Sequence, residues 1–207
     1  MNIVDSADAL SERPDFEAIA QWVRPGAQVL DLGCGDGSLL RFLKEKRDAS
    51  GYGIEIDDAK LLASVKNGIN VLQSDLESGL SGFESGSFDY VILSQTLQAV
   101  RHTEQILREM LRVGREGIVT FPNFGYWGHR LQVFVGGHMP VSRTLPYQWY
   151  NTPNVHLLTL RDFETFCAEH RVRILERVVM DRGRIVSLWP NLRGSLAVYR
   201  FDEGERP

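Results

Sequence analysis

The chain has 207 residues, 43% hydrophobic and 24% charged, which suffices for one core and one domain. Its 27 acidic against 23 basic side chains leave a formal net charge of -4, so neither phosphate backbones nor anionic lipid surfaces are attracted in general, and nucleic acid and membrane are excluded as default partners. The two cysteines, Cys34 and Cys167, stand far apart without CxxC or Cys/His spacing, which excludes a disulfide framework and a zinc site.

The N-terminus, MNIVDSADALSERPDF, has no basic stretch followed by an apolar run, and no segment reaches membrane-spanning length; the expectation is a cytoplasmic protein. An N-terminal helical segment, residues 1–24, carries Phe16, Ile19, Ala20 and Val23 at helical spacing, and Pro25-Gly26 ends it. The apolar run Ala27 to Leu32 is strand one. A glycine-rich turn follows, and Leu39, Leu40, Phe42 and Leu43 mark the next helix, with Lys44 and Lys46 at its C-terminus. Gly51 to Ile56 reads as strand two, Asp58 as the cap of a helix that Asn67-Gly68 terminates, and Ile69 to Gln73 as strand three.

Strand four is Phe88 to Ser94, and Thr103 caps a helix with Ile106, Leu107, Met110, Leu111 and Val113 inward. Arg108, Arg112 and Arg115 on that helix read as a solvated face. Strand five is Gly117 to Phe121. An irregular insertion, residues 122–158, rich in aromatics, comes next. Regular structure resumes at the capping-box-like Thr159-Leu160-Arg161-Asp162, with a helix to His170, a strand Val172 to Val179, a last strand Leu196 to Phe201 and a polar tail, residues 202–207. Strands alternating with helices predict an α/β domain with a doubly wound, mostly parallel sheet of seven strands.

Strand one runs into Asp31-Leu32-Gly33-Cys34-Gly35-Asp36-Gly37. Glycines at this spacing let the backbone turn tightly and approach a ligand beside helix N-terminal amides. Ser38 stands where a dinucleotide fingerprint needs its third glycine, and no Gly-Lys-Ser/Thr follows, so both of those phosphate loops fail. The pattern Asp-x-Gly-x-Gly-x-Gly resembles the first motif of class I S-adenosylmethionine (SAM) dependent methyltransferases. That resemblance implies the cofactor's amino-acid end against Asp31, Gly33, Cys34, Gly35 and Gly37. It further implies ribose on Glu55 beside Ile56, adenine near Asp75 and Leu76, and Ser94 at the end of strand four. SAM or S-adenosylhomocysteine is the expected cofactor.

The loop Ser94-Gln95-Thr96-Leu97 offers no acid or base and lacks the Asn/Asp-Pro-Pro-aromatic pattern of amide- and base-nitrogen methylation. Methyl transfer needs little beyond alignment, because the sulfonium is already electrophilic; a small-molecule methyltransferase therefore remains open. His102, His129, His138 and His156 have no acidic orienter visible in the sequence, so structural roles are expected for them. The insertion offers Tyr126, Trp127, Trp149 and Tyr150 as a substrate or partner surface.

VLDLGCGDG, GYGIEID, SFDYVILSQTLQAV, FPNFGYW and LPYQWYNTPNVHLLTLRDF together resemble the methionine-biosynthesis protein MetW family, from about Pro25 to Phe201. The resemblance implies a methyltransferase-like accessory subunit that binds and activates homoserine O-acyltransferase, the source of O-acetyl- or O-succinylhomoserine. The alternative is an independent methyltransferase of a small molecule.

Overall fold

The computed structural model describes residues 13–204, and the expected helical start at residues 1–12 lies outside them. Helix α1 (Pro14–Trp22) leads into β1 (Gln28–Leu32), α2 (Ser38–Arg47), β2 (Ser50–Glu55), α3 (Asp58–Lys66) and β3 (Val71–Gln73). A short 3-10 turn precedes β4 (Phe88–Ser94), then α4 (Thr103–Val113), β5 (Gly114–Pro122), α5 (Trp127–Gly136) and α6 (Leu160–Glu169). The chain closes with β6 (Val172–Asp181), β7 (Arg184–Ile185), α7 (Pro190–Arg193) and β8 (Leu196–Glu203).

All strands join one sheet in the order β3-β2-β1-β4-β5-β8-β6-β7. The first five are parallel, while β8, β6 and β7 pair antiparallel. The sheet has eight strands where seven are expected: β7 is a two-residue return of the hairpin after β6, too short to show a period in sequence. Strand order reverses between β1 and β4, and open sheets of this kind take ligands at the carboxyl ends beside such a reversal.

Alternate side chains serve opposite faces, as the two-residue period of a strand requires. Val29, Tyr90, Ile92, Ile118 and Val198 pack with α1 and α2 on one face. Leu30, Val91, Leu93, Val119 and Tyr199 pack with α4 and α6 on the other. On that second side Phe163 of α6 touches three rings from the sheet, Tyr199 at 4.8 Å, Phe121 at 5.3 Å and Phe201 at 6.2 Å between centroids. Among the described residues no helix is long and apolar enough to cross a membrane.

Several sequence expectations are corrected. The cap of α3 is Asp57, whose carboxylate accepts from Lys60 N at 2.9 Å, one residue before the expected Asp58. Thr103 is the first residue of α4 and makes no cap bond to it, His102 holding the cap position. Arg115 lies in β5, not on the helix, because Gly114 already has extended geometry. Arg112 is more than a solvated charge: it donates to Leu80 O, Phe83 O and Glu109 and so ties the loop before β4 to α4. The insertion is not wholly irregular, since α5 occupies its first third. Asp202 and Glu203 of the expected tail are paired in β8, opposite Arg173 and Val172. The capping box at Thr159 is present in full.

Phe163→Ala is expected to cost about 3–5 kcal/mol, the range for deleting a buried aromatic ring from a core. Urea titrations followed by circular dichroism check it, and a loss below about 1 kcal/mol would show that α6 does not depend on this ring cluster.

Candidate functional site

The site is built where β1, β2 and β3 end together. Register places Leu32 opposite Ile54 and Glu55 opposite Gln73, so the turn after β1, the acid ending β2 and the Ser74-Asp75 step after β3 share one sheet edge. Gly33, Gly35 and Gly37 all have positive φ (71°, 61° and 76°), the left-handed region that side chains resist. A Cβ on Gly33 would lie 2.9 Å from the Thr96 side chain, so glycine is also required for the turn to pass the loop after β4.

Glu55 is buried and accepts three backbone amides: Gly35 N on Oε2, and Ile56 N and Asp57 N on Oε1, each at 2.9 Å. The carboxylate thus ties the glycine turn to the end of β2. Cys34 packs over Gly53, where a Cβ would fall 2.3 Å from its sulfur. Burial pushes its thiol up to about 12, which makes it packing and not a nucleophile at neutral pH. Ser64 on α3 donates to Gly35 O at 2.8 Å and completes the support beneath the turn.

Asp31 is 2% exposed, and among the described residues its Oδ1 has no hydrogen-bond partner. Burial pushes its carboxyl up to about 7; Arg13 opposes the rise and Glu55 adds to it. A buried acceptor without a donor is costly unless something outside the chain satisfies it. A cationic amino group of a ligand would do so. Beside it, Glu55 has acceptor capacity on Oε2 that one amide does not exhaust. The residues present therefore fit SAM: Asp31 for the amino group, the glycine turn for the chain behind it, Glu55 for the ribose hydroxyls. When bound, the cofactor supplies an electrophilic methyl. Asp75 is exposed and caps the following 3-10 turn through Glu77 N, and Leu76 packs against the core. Ile56 turns its side chain outward, 60% exposed, in reach of a planar ligand at that edge.

Ser94 has different partners from those expected. Its Oγ accepts from Arg13 Nη2 at 2.9 Å and donates to Asp15 Oδ2 at 3.3 Å. Arg13 also binds Asp15 through both ends of its guanidinium, at 3.0 and 2.8 Å, and Gln95 Nε2 reaches the same carboxylate at 3.4 Å. The loop that carries no acid of its own thus receives a fully buried one from α1. Gln95 has φ of 51°, strained geometry held by amide bonds to Thr120 O and Oγ1.

Gln95, Arg13 and Asp15 also line a cavity of about 570 Å3 with Tyr126, His129, Ser142 and Arg143. The glycine turn is not part of its wall, which meets the loop after β4 at Gln95. Burial lowers the pKa of His129 in that wall, and both ring nitrogens are engaged, Nδ1 by Asn123 O and Nε2 by Ser142 Oγ. His102 does have an acidic orienter, Glu77 Oε2 at 2.6 Å from Nδ1, brought from 25 residues upstream, but the pair is on the surface. His138 and His156 contact backbone carbonyls only. Of the expected partner surface, Trp127, Trp149 and Tyr150 are exposed, while Tyr126 faces the cavity.

Among solved structures, a SAM-dependent methyltransferase from Mesorhizobium loti superposes with a TM-score of 0.67 at 17% identity, over 94% of this chain and 98% of that one. The fold is that of SAM-dependent methyltransferases. The model of the methionine biosynthesis protein MetW matches residues 13–201.

This chain belongs to the MetW family.

The bifunctional methionine biosynthesis protein MetXA/MetW of Rhodopirellula baltica is 37% identical over 93% of the chain, which spans 33% of that relative. A demethylmenaquinone methyltransferase of Bacillus cereus is 28% identical over 56% of the chain and 55% of its own length. MetW membership gives the chain a role in methionine biosynthesis and sets the aromatic insertion within the matched residues.

Two predictions follow from the buried carboxylates. Asp31 holds its proton more tightly folded than unfolded, because its folded value near 7 exceeds 3.8. Its contribution is fully present below about pH 4 and is lost as pH rises towards 7. Asp31→Asn should therefore be the more stable form at pH 8, by up to about 4 kcal/mol, and flatten the decline between pH 5 and 8. Urea melts across that range decide it; an unchanged pH profile would refute the assignment. For Arg13 and Asp15, a double-mutant cycle with alanine should give a coupling of roughly 1–3 kcal/mol, because Arg13→Ala alone leaves Asp15 buried without its cation, with only Ser94 and Gln95 in reach. Additive losses would contradict that.

Proposed function

We propose that this chain is an accessory subunit that binds homoserine O-acyltransferase and raises its output of O-acetyl- or O-succinylhomoserine, with SAM or S-adenosylhomocysteine held at the glycine turn. The observation that carries the reading is the relative in which a MetXA part and a MetW part share one polypeptide, at 37% identity over 93% of this chain. Fusion of two activities of one pathway is what is expected of units that work side by side.

The geometry favours the same reading. At the carboxyl end of β4, where a methyl acceptor would be deprotonated, Asp15 is bound on both oxygens by Arg13, and His129 uses both nitrogens to hold the insertion. These groups brace the fold. Asp31 and the glycine turn, by contrast, keep an unsatisfied acceptor and a tight backbone approach, features that serve a bound cofactor. SAM is made from methionine, so a subunit that binds it senses the product of the pathway it assists. That sensing requires different SAM affinities in the free and complexed forms.

The test is the homoserine acyl-transfer rate of the acyltransferase from the same cell, alone and with this protein added. The expected result is a rise of several-fold or more and a complex on a sizing column; no rise and no complex would overturn the proposal. A methyltransferase of a small molecule is the second reading, favoured by the 570 Å3 cavity beside Gln95. It is supported if SAM is turned over to S-adenosylhomocysteine with a small acceptor.

A further inference from the structure

The helix that the sequence pattern hides has an unusual surface. Of the ten residues of α5 only His129 is buried. Leu131, Phe134 and Val135 are 50, 90 and 71% exposed, and their spacing of three and four puts them on one face. From Leu131 to Gly137 the sequence LQVFVGG contains no charge. An amphipathic helix in a monomer normally turns such a stripe into the core. Here the core side of the helix is served by His129 and by Tyr126 before it, at the cavity, and the stripe faces outward.

The rest of the insertion exposes further apolar side chains. Val141 N donates to Gln132 Oε1 at 3.0 Å and fastens the following chain against α5. Beyond it Met139, Tyr147, Trp149 and Leu157 line a shallow groove, with Trp149 and Tyr150 edge to face at 5.7 Å. Exposed apolar area on this scale marks an interaction site. Its composition, aromatic and methionine side chains with charge absent from the centre, is that of the core of a protein interface. Leu62 on α3 is exposed in a different setting, between Asp58, Lys60 and Lys66 on an ordinary solvated helix.

We propose that the outward face of α5, centred on Leu131 and Phe134 with the Trp149 groove as its rim, is the surface on which homoserine O-acyltransferase docks. The proposal rests on the functional reading above, and it names the contact that reading requires. Its occupant is the acyltransferase because the bifunctional MetXA/MetW relative carries both names in one chain, which ties a MetW unit to a MetXA partner; a second copy of this chain is the competing outcome of the test. α5 falls inside the matched MetW residues.

The experiment is a calorimetric titration of this protein into purified homoserine O-acyltransferase from the same cell. It uses the wild type, Phe134→Glu, the double variant Leu131→Ala/Phe134→Ala, and Ile185→Glu on the exposed edge strand β7. Both α5 variants should weaken the complex about 30-fold or more, the loss typical of central interface residues. Ile185→Glu should bind as the wild type does, and all melting curves should match, since these side chains are exposed. Unchanged affinity in both α5 variants would overturn the proposal while leaving the functional reading intact, as would a loss confined to Ile185→Glu. If the α5 variants abolish self-association of this chain and leave the acyltransferase affinity unchanged, the face joins two copies and the proposal fails. No binding by the wild type would end the functional reading, and this surface assignment with it.

Discussion

A single carboxylate organises the ligand edge of this molecule. Glu55 ends β2 and accepts the amides of Gly35, Ile56 and Asp57, so the turn after β1 and the turn into α3 are fixed to each other through one side chain. Three charge-assisted bonds from rigid amides are stronger than the usual neutral kind. They also hold Asp31, at the start of the same turn, in a site too dry to solvate it. Local geometry, burial and ligand chemistry are therefore one problem: the backbone bend that the glycines permit creates both the tie at Glu55 and the unsatisfied oxygen at Asp31.

How much of this could be read from the sequence follows from how far apart the partners lie. The glycine turn, Glu55 and Asp75 sit in short contiguous patterns at strand ends, and the sheet places them together as expected. Five parallel strands follow from the alternation of apolar runs and helices. The Arg13–Asp15–Ser94 network was not legible, because it joins residues about eighty positions apart and Asp15 reads as an ordinary acid in the first turn of a helix. The orientation of His102 by Glu77 was missed for the same reason. A weaker signal was present in Pro14-Asp15, where an acid next to an N-terminal proline marks a helix start that had to dock somewhere.

The insertion shows a different limit. Glycines and aromatics around Phe124 to Gly137 mask the helical period of α5, and its apolar residues suit neither a core stripe nor a loop. Only the structure shows why: the one buried side chain of the helix is His129, at the cavity, while its apolar side chains Leu131 and Phe134 are open to solvent.

Cofactor binding at the glycine turn is the property on which the proposed function depends most. Calorimetric titration of SAM into the wild-type protein and into Glu55→Ala at pH 8 tests it. The expected result is one saturable site per chain in the wild type, weakened by at least about tenfold in the variant, the equivalent of one lost charge-assisted contact. No saturable binding in the wild type, or equal affinity in both, would contradict it.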